Sequence, residues 1–300
     1  MHPPPPADVG PLRAAIAAHW DAHARDLPWR AESTTPWGVL VSETMSQQTP
    51  VARVAPSWTA WMDRWPTPAD LASAPTADVL RAWGTLGYPR RALRLQECAA
   101  AIVARHEGQV PKDEESLLAL PGVGPYTAAA VRAFAYRKRA VVLDTNVRRV
   151  LARTIGGQAA PPPGAPTRGE RALAESLLPP GDEASAAWNV GLMELGALTC
   201  TARSPRCDLC PAAETCAWRR AGHPADAHAA RRRTQTYEGT DRQARGRVMA
   251  RLREAADGTV HSWAELVAVA STDPDQAQRA VTTLLADGLV VERAGELRLP

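Results

Sequence analysis

The chain has 300 residues, 45% of them hydrophobic, with 35 Lys plus Arg against 32 Asp plus Glu and a formal charge of +3. That length has room for two or three domains and a proper core, and so small a net charge excludes a polyanion partner argued from global charge alone; local clusters have to carry it. No charged n-region runs into an apolar core at the start, and no apolar run approaches the roughly 18 residues of a membrane span, so a cytosolic protein with no membrane association is expected.

Residues 1–11 open on a proline-rich leader (MHPPPPADVG) that suits neither helix nor strand and reads as disordered. An amphipathic helix over Leu12–Ala24 follows, then a Leu27-Pro28-Trp29-Arg30 turn and a helix from Trp37 to Gln48. On that helix Trp37, Leu40, Val41, Thr44 and Met45 form one stripe, and Glu43 lies roughly 130° from its centre at 100° per residue, so Glu43 should leave the core side. Short helices separated by proline or glycine come next: Pro56–Trp65, Pro68–Ser73, Thr76–Trp83 and Arg91–His106. Asp113–Leu120 and Tyr126–Tyr136 are helices joined by Leu120-Pro121-Gly122-Val123-Gly124-Pro125-Tyr126, a helix-turn-helix hairpin. Gly122 and Gly124 permit positive φ and close approach, and Pro125 suits a first helical turn. The unpaired amides at such a start attract an anion, although a plain tight turn between two core helices gives the same pattern.

Val141–Leu143 reads as a loop entering a helix over Val147–Ile155, and two further helices, Arg168–Leu178 and Glu183–Leu198, follow the proline-rich stretch 159–166. Residues 221–239 form a basic linker. From Arg242 the pattern is three helices (Arg242–Ala255, Ser262–Ala270, Asp275–Asp287) and a hairpin (Leu289–Glu292, Glu296–Leu299), which is winged-helix-like. Its third helix offers Gln276, Gln278 and Arg279 but little positive charge, so packing or protein contact is as good a reading as DNA contact.

Four cysteines, Cys200, Cys207, Cys210 and Cys216, follow Cys-x6-Cys-x2-Cys-x5-Cys. Four soft ligands in so short a stretch suit zinc or a 4Fe-4S cluster, and the single Cys-x2-Cys knuckle favours the cluster. Cys98 reads as a small buried hydrophobe. Glu43, Tyr126, Asp144 and Asn146 are the polar residues to place in a cleft, against the alternatives of a solvated helix residue for Glu43 and an N-cap for Asp144. Cleaving a bond to an anomeric carbon needs two carboxyls, one protonated to activate the leaving group and one ionised to stabilise the cationic sugar.

In residues 12–220 the chain resembles the helix-hairpin-helix DNA glycosylases that carry an iron-sulfur cluster, and within them the MutY type. The segments that carry this are Leu27–Arg30, Ser42-Glu43-Thr44-Met45-Ser46-Gln47-Gln48-Thr49, Leu86-Gly87-Tyr88, the hairpin Leu120–Ala128, Leu143–Val147, Glu194-Leu195-Gly196-Ala197 and the four cysteines. The resemblance implies an all-α, two-lobed fold plus the small C-terminal α+β unit. A cluster lobe would comprise 12–33 and 141–220, a six-helix barrel 34–140, and the winged-helix-like domain 240–300, with duplex DNA across the cleft and the target nucleotide flipped out. It implies a bacterial, nucleoid-associated monomer with a 4Fe-4S cluster, acting on adenine opposite 8-oxoguanine or guanine. Glu43 would protonate the adenine ring from a water-poor pocket that raises its pKa. Asp144, held by Asn146, would stabilise the oxocarbenium-like sugar beside Tyr126. Gln48 and Tyr88 would wedge the base stack, Gly122 and Gly124 grip phosphate, and the cluster order a basic loop with Arg203 and Arg206 against DNA.

Tyr126 stands where bifunctional relatives have the lysine that forms a Schiff base, so a monofunctional enzyme without lyase activity is expected. Tyrosine there also fits a thymine or uracil mismatch glycosylase, and a non-enzymatic iron-sulfur DNA-binding or regulatory protein is the remaining alternative. Ser42-Glu43 with Gln47-Gln48-Thr49 favours adenine. Ser46, Pro89, Thr145 and Val190 depart from the family pattern, and residues 240–300 replace a Nudix-like domain that checks for 8-oxoguanine, which leaves the strength of that requirement open.

Overall fold

The computed structural model describes residues 9–232 and 236–300; the proline-rich residues 1–8 and residues 233–235 of the expected basic linker lie outside them. In chain order the helices are α1 (Gly10–His23), α2 (Pro36–Ser46), α3 (Val51–Arg64), α4 (Pro68–Ser73), α5 (Thr76–Trp83), α6 (Arg90–Arg105), α7 (Glu114–Leu118) and α8 (Pro125–Phe134). Then come α9 (Thr145–Thr154), α10 (Arg168–Leu177), α11 (Asp182–Leu198), α12 (Ala217–Arg220), α13 (Asp241–Glu254), α14 (Trp263–Ala270) and α15 (Pro274–Ala286). The strands β1 (Val291–Arg293) and β2 (Glu296–Arg298) pair antiparallel, with Glu292 opposite Leu297. No helix among the described residues is long and apolar enough to cross a membrane.

Most helix boundaries fall within two residues of expectation, and one lies five residues away. The first helix begins at Gly10 rather than Leu12, with Pro11 in its opening turn. The third begins at Val51, not Pro56, and Pro56 lies inside it. A proline there, sixth of fourteen residues, gives up one i→i−4 backbone hydrogen bond, and the buried stripe Val54, Trp58 and Trp61 carries the helix across it.

The chain divides into two compact units, Met1–Val39 with Lys112–Leu118 and Gly124–Arg233, and Leu40–Pro111 with Ala119–Val123 and Thr234–Pro300. In the first, α11 is the central helix, packing on α1, α8 and α9. Its core gathers Leu12 and Ile16 with Val147, Val150, Leu173, Leu177, Leu192 and Leu195. Two glycines let α11 come this close. A Cβ on Gly191 would sit 2.6 Å from Ile16 Cγ2, and one on Gly196 would sit 2.7 Å from Asn146 Cβ.

The same helix carries Glu194, whose side chain is fully buried. Arg25 donates to it from its backbone N–H at 2.8 Å and from Nε at 2.9 Å, and Arg30 adds Nη2 at 2.9 Å. The Leu27–Arg30 and Glu194–Ala197 segments are therefore two halves of one clasp. Burial pushes the Glu194 pKa up, but the bonds from Arg25 and Arg30 prevail and hold it at about 2. A carboxylate depressed in this way stabilises the fold above its unfolded pKa of 4.5 and ceases to do so as pH falls toward 2. Glu194→Gln is expected to lower unfolding free energy at pH 7 by about 3 kcal/mol. In urea titrations the gap from wild type should close between pH 4.5 and 2.

The second unit is built on tryptophan where most cores use phenylalanine. Trp61 meets Trp65 and Trp83 edge-on, at ring centroid distances of 4.6 and 5.6 Å. Around them α6 packs on α4 and α5. The C-terminal segment of this unit is winged-helix-like in connectivity: α13, a single antiparallel bridge at His261 to Leu297, α14, α15, then the hairpin. Of the polar groups on α15, Gln276 donates to Gly239 O at 2.9 Å and Arg279 pairs with Asp241 at 3.4 Å, contacts within the segment that fit packing, while Gln278 is exposed.

Candidate active site

Glu43 occupies the last turn of α2 and is only 8% exposed. The helical stripe led to the expectation that it would leave the core side. Instead Val39, Leu40, Val41, Ser42 and Met45 around it are buried too, so α2 is enclosed on nearly all sides and its polar face has no solvent to turn toward. A stripe calculation sees only one helix; enclosure comes from its neighbours. The result is a carboxyl in a water-poor setting, the setting its expected acid role requires.

Asp144 precedes α9 as its N-cap, with an extended backbone. Its Oδ1 accepts from Val147 N–H at 2.6 Å and its Oδ2 from Asn146 Nδ2 at 2.8 Å. Capping and holding are thus done by the two oxygens of one carboxyl. Asn146 is itself fixed, since Arg149 Nη2 donates to Asn146 Oδ1 at 2.9 Å. Burial pushes the Asp144 pKa up, while the bonds from Val147 and Asn146 and the charge of Arg149 oppose it. A carboxylate ionised there is poorly solvated and aims its charge at whatever enters. Tyr126, in the first turn of α8, packs beside Ala129, Ala133, Ala140 and Val142.

Arg149 extends this array. Its Nε donates to Cys200 O at 2.8 Å and its Nη2 to Gly196 O at 2.7 Å, so one buried guanidinium links the Asp144–Asn146 pair to the start of the cysteine loop. Sequence reasoning missed it, because the contacts join residues about fifty positions apart and arginine on a helix is ordinarily a surface residue.

The four cysteines line a single cavity with Arg153, Pro205, Arg206 and Trp218. Among the described residues no three His, Cys, Asp or Glu side chains converge to hold one metal ion; a four-iron cluster takes each thiolate on a separate iron and needs no such convergence. Arg153 lies over the Trp218 ring at 4.6 Å and donates to Cys200 Sγ at 3.4 Å and Thr201 O at 2.7 Å, a donor for an anionic sulfur. Burial pushes the Cys210 thiol up to about 11, and the neighbouring thiols add to it. In the same loop Arg203 and Arg206 are exposed, and Arg206 donates to Leu198 O.

In the hairpin turn Gly122 has φ +77°, but Gly124 has φ −98° and ψ 178°, extended backbone open to any residue. The expectation of two left-handed glycines holds for the first only. Gly124 is the N-cap of α8 and makes no side-chain cap bond, so it leaves the first amides of the helix uncapped from within. A Cβ on Gly122 would also lie 3.0 Å from Arg94 Cβ, whereas none would be met at Gly124 within 4 Å. Gly122→Ala should therefore cost about 1–2 kcal/mol in thermal or chemical unfolding, and Gly124→Ala little.

The two expected wedge residues share an unusual backbone. Gln48 has φ +56° and Tyr88 φ +48°, both in the left-handed region that side chains seldom adopt. Both are exposed, Tyr88 by 40%. One half-buried group braces both loops: Arg91 donates to the carbonyl oxygens of Thr44 at 2.9 Å and Gln47 at 2.6 Å on one side, and to those of Leu86 at 3.1 Å and Gly87 at 2.9 Å on the other. Burial lowers its pKa to about 10, which leaves it charged at neutral pH. Sequence reasoning missed Arg91 as well. A groove of about 360 Å³ beside it is lined by Gln47, Tyr88, Arg90, Arg91, Arg94 and Gly122 among others.

Residues 41–170 match the profile of the HhH-GPD superfamily of base excision DNA repair proteins. The chain is 51% identical over 302 aligned residues to the adenine DNA glycosylase of Mycobacterium tuberculosis, covering 99% of this chain and 97% of that protein. It is 51% identical over 276 residues to the adenine DNA glycosylase of Mycolicibacterium smegmatis, covering 92% and 91%. Among solved structures, a thermostable thymine-DNA glycosylase superposes with a TM-score of 0.62 at 28% identity, over 70% of this chain and 95% of that one.

Proposed function

Because the chain belongs to the adenine DNA glycosylases of the HhH-GPD superfamily, we propose that it is a base-excision-repair enzyme that hydrolyses the N-glycosidic bond of adenine mispaired with 8-oxoguanine or guanine, without cutting the strand. The observation that carries this is that the likeness to adenine DNA glycosylases runs through 99% of the chain, the C-terminal segment included.

The chemistry follows from the residues. The adenine nucleotide is taken out of the stack, since its glycosidic bond is unreachable within the duplex. Protonated Glu43 gives its proton to a ring nitrogen of adenine; the bond from the sugar C1′ to the base then breaks, and its electron pair leaves with the base. Ionised Asp144, oriented by Asn146, stabilises the resulting oxocarbenium-like sugar. Water adds to C1′, loses a proton to a carboxylate, and an abasic site results. Tyr126 supplies no amine, so no covalent imine forms and the strand stays whole. Gly122, the amides that open α8, Arg203 and Arg206 contact phosphate, and Gln48 and Tyr88 enter the base stack.

The four cysteines fit a 4Fe-4S cluster: they share one cavity, and Arg153 offers a donor to Cys200 sulfur. When bound, the cluster supplies structural closure of the loop that carries Arg203 and Arg206, with no redox step on the base. Iron and acid-labile sulfide in equal amounts, without zinc, would bear this out.

A single-turnover assay on A:8-oxoG, A:G, T:G and U:G duplexes, with alkali to reveal abasic sites, tests the whole reading. Adenine release without alkali-independent nicking is expected. Release of thymine or uracil and no adenine would replace this reading with a mismatch pyrimidine glycosylase, the activity named for the similar solved structure. No release from any duplex would point to a DNA-binding or regulatory protein.

A further inference from the structure

The C-terminal segment comes right up to the Tyr88 wedge. Arg242, in the first turn of α13, donates from Nη1 to the Tyr88 hydroxyl at 2.7 Å. Its guanidinium lies 5.7 Å from the Tyr88 ring centre and 5.1 Å from that of Tyr237, which is itself 51% exposed. From its other side Arg91 lies 5.7 Å from the same Tyr88 ring. Acidic residues of the C-terminal segment hold it in place: Asp287 pairs with Arg90 at 3.2 Å and Asp257 with Arg81 at 3.1 Å.

Arg91 has no carboxylate partner among the described residues either, but its donors are spent on backbone carbonyls; Arg242 is different. Arg81, Arg90, Arg94, Arg245 and Arg279 each have a carboxylate within salt-bridge distance. Arg242 has none among the described residues, yet it is exposed and held by two ring faces and a phenol. Orientation is supplied by neutral groups, and the charge stays unneutralised. Only one of its five donors is used by Tyr88, and a guanidinium with a free fork suits a phosphate. Tyr88, which Arg242 contacts, also lines the groove with Arg90, Arg91 and Arg94.

We propose that the C-terminal segment is part of the DNA-binding surface, and that Arg242 is its phosphate contact, placed by Tyr237 and Tyr88 beside the wedge. This rests on the proposed DNA-glycosylase function and adds to it a role for residues 236–300. Their DNA contact is then at the start of α13, not on α15, the helix a winged helix would ordinarily place in the groove.

The test is the salt dependence of duplex binding by the full chain, comparing wild type with Arg242→Ala and Arg242→Lys at 50–200 mM salt. Loss of one phosphate contact should weaken binding roughly 3- to 10-fold at low salt and reduce the slope of log K against log salt by about 1, equally on mismatched and matched duplexes. Arg242→Lys should restore most of the slope, because one charge is kept. A slope for Arg242→Ala equal to wild type, with both proteins folded by circular dichroism, would overturn the proposal. A slope lowered equally in Arg242→Lys would also overturn it, since the effect would then be structural. Adenine release by the wild type on A:G and A:8-oxoG duplexes is measured alongside. Its absence would reject the proposed activity, while the salt slopes would still decide whether Arg242 contacts DNA.

Discussion

Asp144→Asn is expected to reduce the single-turnover rate of adenine release by about a thousandfold or more while making the protein more stable at neutral pH. The two effects have one origin. The carboxylate is desolvated, and burial raises its pKa above the ordinary aspartate value of 3.8. A group shifted in this direction costs nothing below its unfolded pKa, where it is protonated in both states, and lowers stability as pH rises through its folded pKa. Asparagine removes that cost and still caps α9, since its side-chain oxygen can accept the Val147 N–H. What it cannot do is offer negative charge to a cationic sugar, and preorganised charge of this kind is a large part of a catalytic barrier. Urea denaturation at pH 7 and pH 4 should show the variant ahead of wild type at the higher pH and level with it at the lower. A variant that is inactive and also destabilised at pH 7 would mean that Asp144 serves the fold and not the reaction.

Arg91→Ala is expected to be the most damaging change outside the carboxyls. Removing it leaves the carbonyls of Thr44, Gln47, Leu86 and Gly87 without their shared donor, and two loops held in left-handed conformations lose their brace. The cost should be about 3–5 kcal/mol in stability, and adenine release should fall at least about a hundredfold. Because such a variant could unfold, Arg91→Lys is the sharper probe. An ammonium carries the charge but not the planar fork that reaches both loops, so the protein should fold and remain slow. If Arg91→Lys has wild-type kcat and KM, the brace is not needed to set Gln48 and Tyr88 for the reaction.

These residues show where the sequence was informative. Periodicity and the proline and glycine breaks placed most of the helices within a residue or two; the capping boxes at Thr67, Thr167 and Ser262 are what the structure adds. The candidate carboxyls stand out through motifs, and Asp144 with Asn146 lies within a single turn, so a pairing of the two is local. Pro56 misled because a proline usually marks a helix start, whereas here burial of Val54, Trp58 and Trp61 carries the helix across an interior one. Glu43 misled because burial of a helix face belongs to the whole fold. Arg91 and Arg149 were invisible for a deeper reason. Each acts by joining backbone carbonyls from segments distant in the chain, and carbonyls have no letter in a sequence.

The placement of α1 against α11 has a consequence for how the molecule is made. The first helix presents Leu12 and Ile16 to a partner that ends at Leu198. At ordinary translation speeds of about 5–20 residues per second, roughly 10–40 s separate the emergence of the two. The other unit is in no better position, because its residues 40–111 are completed by the last segment of the chain. The first unit can therefore close only once α11 has emerged, and the second waits longer, for residues 234–300. A nascent chain held at residue 180 should leave α1 protease-sensitive, whereas the released chain should protect it.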